Sequence, residues 1–157
     1  MIVIRSGLGS VWTDKSKWAQ FKSWLREQNE GEDDCGMPLS LDRYALFLEL
    51  YIAFDSNFRS DLKGENVMLS FMNIVNHEEK FFGNYRCLKC LDAGDRKLII
   101  KSVKQVKNGT LEPNPTVFEI VYQKVFDKLL NLLGGFQNKV ILSLSDSKSL
   151  KNNKSVL

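Results

Sequence analysis

The chain has 157 residues, 43% hydrophobic and 26% charged, with a net charge of +3. That length fits one domain able to bury roughly two-thirds of its unfolded surface, and the composition excludes disordered and fibrous classes over most of the chain. Its most apolar stretch, Tyr44 to Phe54, contains Glu49 and is shorter than the roughly 20 residues a bilayer crossing needs, so no membrane span is expected.

The charge is unevenly distributed. Residues 1–95 hold 11 Lys+Arg against 15 Asp+Glu, giving −4, and residues 96–157 hold 11 against 4, giving +7. A dipolar chain of this kind can turn a basic face to nucleic acid, to an anionic membrane surface or to an acidic protein, and the simpler reading is solvated helix faces. Cys35, Cys87 and Cys90 are the only cysteines. Without an export signal at Met1-Ile-Val-Ile-Arg5, they read as reduced thiols of an intracellular, cytoplasmic protein.

In chain order, Gly7-Leu8-Gly9-Ser10 follows a candidate strand, but lacks the ending of a phosphate loop and the third glycine of a dinucleotide fingerprint. Asp14 precedes a helix with Trp18, Phe21 and Leu25 on one stripe and Trp24 at its margin. Glu30 to Pro38 is acidic and punctuated by Gly and Pro, which predicts a loop. Ser40 is placed to cap a helix from Leu41 to Phe54, apolar almost all round and therefore expected at the centre of the core. Glu65 to Val75 has helical spacing at Val67, Met68, Phe71, Ile74 and Val75, with a strand as the alternative. Asn76 with Glu79 suggests a capping pair opening a segment that aligns Phe81, Tyr85 and Leu88.

Asp95 is expected to cap a helix burying Ile99, Val103 and Val106, with Lys97, Lys101, Lys104 and Lys107 exposed and Asn108-Gly109 at its end. The alternative is a strand from Leu98 to Val106 turning at Asn108-Gly109, which would make an α+β fold with a hairpin near residues 97–122. Thr116 and Glu119 form a capping-box pattern behind Pro115, opening a helix with Phe118, Val121, Tyr122, Val125, Phe126, Leu129, Leu132 and Leu133 on one face and Gly134-Gly135 as its stop. Val140 to Leu144 reads as a short strand or a last helical turn. Residues 145–157 are a polar tail, basic through Lys148, Lys151 and Lys154, expected to be mobile or ordered by a partner. The expected fold is all-α, a single domain of six or seven helices over residues 1–144.

Chemistry-bearing patterns are sparse. Cys87-Leu88-Lys89-Cys90 has zinc-ligand spacing, and Cys35 with His77 could complete a three-cysteine, one-histidine site, but a second tight pair is missing. The competing reading is two half-buried side chains on a helix. His77 is the only histidine, and no nucleophile motif accompanies it; the acids Glu32-Asp33-Asp34 and Glu78-Glu79 lack the alternating ligands of a calcium loop. No catalytic set and no cofactor are expected. The Lys97 to Lys107 row offers phosphate contacts for sequence-independent nucleic-acid binding, with Arg96 the only arginine in that half.

Phe54-Asp-Ser-Asn-Phe-Arg-Ser-Asp-Leu-Lys-Gly-Glu-Asn66, followed by Val67 and Leu69, resembles the stretch of regulator of G-protein signalling domains that leads into their Glu-Asn motif. Asp95-Arg96, Pro115, Phe118 and Phe136 with Leu142-Ser143 echo the second half of that all-helical fold, and Ser70 stands where the family has a core tryptophan. The resemblance implies a non-catalytic protein-interaction module on a Gα-type GTPase, with Glu65 and Asn66 as contact residues. Such domains speed GTP hydrolysis by steadying the switch segments of their partner.

Overall fold

The computed structural model describes residues 6–60 and 65–156, with side chains described for 8–60 and 65–139. Among these residues the chain forms α1 (Ser6–Thr13), α2 (Lys15–Arg26), β1 (Asn29–Glu32), β2 (Pro38–Ser40), α3 (Asp42–Arg59), α4 (Glu65–Val75), α5 (Glu78–Phe82), α6 (Ala93–Lys107), a 3-10 turn η1 (Pro115–Phe118) and α7 (Glu119–Val156). The all-α expectation holds. No helix among the described residues is long and apolar enough to cross a membrane. The candidate strand before Gly7 lies outside the described residues; Gly7 to Ser10 belong to α1.

Local chemistry explains most boundaries. Asp14 accepts hydrogen bonds from the amides of Ser16 and Lys17 at 3.0 and 3.1 Å, so α2 starts one residue later and buries Trp18, Phe21 and Leu25. α6 starts earlier than expected because Asp92, not Asp95, is its cap: Asp92 accepts from the Asp95 amide at 2.7 Å and Asp95 accepts from the Asp92 amide at 3.2 Å. The strand alternative for residues 98–106 is thereby corrected. Its turn residues serve as a helix end, with Gly109 at φ +80° donating to the Val106 carbonyl, a left-handed position glycine occupies without strain.

Other expectations are corrected too. Residues 30–38 form most of an antiparallel hairpin rather than a loop, with β1 paired to β2 from Asn29–Ser40 to Glu32–Pro38. Ser40 lies in β2 and its hydroxyl donates to the Arg26 carbonyl, which leaves Leu41 at the start of α3. α3 runs past Phe54 to Arg59 because Asp55 and Arg59 pair one turn apart. His77, not Asn76, precedes α5, and that helix ends at Phe82, which leaves Tyr85 exposed instead of aligned with Phe81. Asn114, not Thr116, caps the turn before α7, accepting from the Thr116 amide at 3.0 Å. α7 passes straight through Gly134-Gly135 and on across residues 140–144, since both glycines take helical geometry. Its backbone continues to Val156, while the tail side chains lie outside the described residues.

As expected, α3 is the central rod. Tyr44, Ala45, Phe47, Leu48, Tyr51 and Phe54 are all buried on it. Phe118 joins the other elements to that rod, with its ring 6.3 Å from Phe47 and Phe54, 5.5 Å from Phe71 on α4 and 6.1 Å from Phe82 on α5. At the opposite end of α3, the side chains of Glu30 and Arg43 are 10% and 9% exposed and form an ion pair. Arg43 also donates to the carbonyls of Ser40 (2.9 Å), Lys80 (3.2 Å), Arg86 (2.6 Å) and Cys87 (3.1 Å). Glu30 in turn accepts from the Tyr44 hydroxyl at 2.6 Å and the Lys89 amide at 3.3 Å. One guanidinium thus ties β2 and α5 to the Arg86 and Cys87 carbonyls of the irregular segment between α5 and α6.

Two substitutions test this arrangement. Arg43→Met leaves Glu30 buried without its cation, and urea unfolding should show a loss of about 3–5 kcal/mol, partly restored by adding Glu30→Gln. Gly134→Ala meets open space and sits in a helix interior, so it should raise stability by about 1 kcal/mol; a left-handed stop at that position would give the opposite sign.

Candidate functional site

At the C-terminal end of α3, helices α3 and α7 and the η1 turn enclose a groove of about 430 Å³. Tyr51, Asp55, Phe58 and Arg59 line it from α3, Asn114 and Thr116 from the η1 region, and Glu119, Tyr122 and Gln123 from α7. The Tyr51 and Tyr122 rings stack at 4.8 Å with 17° between planes, and the Tyr51 hydroxyl donates to the Pro115 carbonyl at 3.5 Å. Asp55 is 4% exposed and accepts from Arg59 Nε at 3.0 Å through both oxygens. Burial, with the nearby Asp55 carboxylate, pushes the Tyr51 phenol up to about 12 and raises that of Tyr122. Both phenols are therefore neutral donors at physiological pH, and the exposed Glu119 carboxylate has no ion pair among the described residues.

Glu65 and Asn66 lie in the exposed first turn of α4. The connection between Arg59 and Glu65 is short, so α3 and α4 run antiparallel, with Phe54 against Phe71 at 5.7 Å. The start of α4 consequently sits at the same end of that helix pair as the groove. Ser70 is buried, and its hydroxyl donates back to the Asn66 and Val67 carbonyls at 2.8 and 3.1 Å. It ties down the turn that presents Asn66 where a larger residue would fill space sideways.

Lys97, Lys101, Lys104 and Lys107 are exposed on α6 as expected, and Lys107 reaches Glu78 at 4.0 Å. The cysteine and histidine set behaves differently. Among the described residues the only three-donor group with ligand atoms within 4.8 Å is Asp33, Asp34 and Cys35, so Cys35, His77, Cys87 and Cys90 are not brought together. Asp33 is already engaged in the hairpin turn, accepting from the Met37 and Cys35 amides, each at 2.9 Å. The Met37 bond, the Cys35 bond and the Arg86 charge together hold its carboxyl below the ordinary range. Cys87 and Cys90 lie in turns rather than on a helix, Cys87 buried and Cys90 half-buried, and burial pushes the Cys90 thiol up to about 11. His77 Nδ1 lies 2.9 Å from the Asn73 carbonyl at a helix start.

The groove leaves little trace in the sequence. Tyr51 and Tyr122 fall on apolar faces, where aromatic residues signal core. The available sign was the Asp55–Arg59 spacing, which carries the helix one turn beyond its apolar run. Comparison of the chain with protein-family models, curated proteins and solved structures gives no match.

Thiol accessibility gives a direct check on the cysteine placement. At pH 8 an aromatic disulfide reagent should titrate one fast thiol per folded chain, lost in Cys35→Ser, while Cys87 and Cys90 react only after unfolding.

Proposed function

We propose that the chain is a non-catalytic protein-interaction module that docks on a Gα-type GTPase through the groove and the neighbouring start of α4. The observation that carries this reading is the meeting of stacked tyrosines, a bound Asp55–Arg59 pair and a Glu119 carboxylate in no ion pair among the described residues, at the end of the helix pair that presents Glu65 and Asn66. Aromatic rings and rigidly held polar groups supply contact area at small entropic cost, the combination favoured at interface centres. The resemblance around Glu65-Asn66 supplies the class of partner. A module of this kind lowers the barrier to hydrolysis by holding the partner's switch segments in the geometry of the transition state, and needs no acid, base or nucleophile of its own.

Single-turnover GTP hydrolysis by a panel of Gα subunits, with and without the full chain, tests the reading. Acceleration of at least one Gα is expected, falling about tenfold with Asn66→Ala or Glu119→Lys while the melting temperature stays unchanged, since each change removes roughly one interface contact of about 1.4 kcal/mol. If no Gα is bound or accelerated, the reading fails.

A further inference from the structure

We propose that the groove between α3, η1 and α7 receives an arginine side chain from a partner segment, an assignment that rests on the groove being the docking face of the module. Among the described residues that line it, Asp55 and Glu119 carry negative charge and Arg59 alone carries positive charge. Arg59 Nε donates to both Asp55 oxygens at 3.0 Å, so that pair is closed on itself. Glu119 then leaves the groove with one more carboxylate than cation. Burial is the main reason the Tyr51 phenol is raised, the charges of Asp55 and Glu119 come next, and the opposing effect of Arg59 is smaller than either. The Glu119 charge is therefore felt at the stacked tyrosines, and the groove favours a cation.

The chemistry of the walls separates arginine from lysine. Tyr51, Tyr122 and Phe58 give the groove aromatic sides, with the first two rings stacked at 4.8 Å and 17° between planes. Glu119, Tyr122 and Gln123 follow one another at helical spacing along α7 and share one face. Tyr122 is half-buried and its hydroxyl makes no hydrogen bond among the described residues, so its oxygen can accept one. A carboxylate, a phenol oxygen and an amide carbonyl thus stand within about one helical turn. A guanidinium is planar, weakly hydrated and rich in donors, so it can lie against an aromatic wall and still reach separated acceptors. An ammonium is a compact, strongly hydrated point that meets fewer of them. An acidic side chain would face Glu119 and find Arg59 already held by Asp55.

Titration of the full chain with acetyl-Gly-Arg-Gly-amide, followed through the ring resonances of Tyr51 and Tyr122, tests the proposal. The arginine peptide should shift both rings and bind about fivefold more tightly than its lysine counterpart, and the glutamate counterpart should leave the rings in place. Glu119→Gln should weaken the arginine peptide about fivefold at unchanged melting temperature, since the residue is exposed. Glu79→Gln on α5, which does not line the groove, should change nothing. Rings left unshifted by the arginine peptide overturn the proposal. So does binding of the lysine or glutamate peptide as tight as that of arginine, or full binding by Glu119→Gln. The two readings fail separately: arginine binding at the groove without acceleration of any Gα removes the Gα partner and keeps the arginine site, and acceleration without arginine binding does the reverse.

Discussion

The packing of Phe118 against four other phenylalanines is the contact on which the arrangement of the molecule depends. η1 is a single tight turn with little stability of its own, yet its ring reaches α3, α4 and α5 at once. Aromatic pairs of this kind contribute about 0.5–1.5 kcal/mol each beyond simple burial. Fixing η1 there sets where α7 begins, and hence where Tyr122 and Glu119 stand relative to Tyr51 and Asp55. The groove is therefore a consequence of core packing rather than of a loop that could take many shapes.

The groove and the lysine row of α6 differ in their electrostatics. The groove holds an internally neutralised Asp55–Arg59 pair and neutral phenols, with the Glu119 carboxylate, in no ion pair among the described residues, at its edge. Specific partners suit such a surface, since misfit leaves polar groups unsatisfied. Along α6, Lys97, Lys101 and Lys104 are exposed and in no ion pair among the described residues, while Lys107 reaches Glu78 at 4.0 Å.

Periodicity made the helices legible, and end chemistry was the part that misled. Ile99, Val103 and Val106, like Val121, Val125, Leu129 and Leu133, are buried as their spacing requires, and α3 is the central rod its apolar character demanded. Caps were misassigned by a few residues because several Asp, Asn, Ser and Thr side chains lie within reach of each helix start, and tertiary contacts choose among them: Asp95 is the reciprocal partner of Asp92 and also holds Lys124. Gly134-Gly135 has the composition of a stop, but glycine permits a left-handed turn without requiring one, and Trp24 and Phe136 pack at 5.6 Å beside it. The hairpin was hidden because its strands are only four and three residues long, with no alternation of apolar residues to betray them. Of the site, Glu65 and Asn66 could be named from local pattern, whereas the groove joins residues more than 60 positions apart.

The Arg43 and Glu30 network has a consequence for the order in which the chain assembles. Its bonds from Arg43 to Lys80, Arg86 and Cys87 close separations of 37, 43 and 44 residues, and that from Lys89 to Glu30 closes 59. Contacts so distant repay their loop-closure entropy only after the hairpin, α3 and α5 are in place. They therefore belong to the last stage of folding, and weakening them shortens the lifetime of the native state while leaving the speed of its formation nearly untouched.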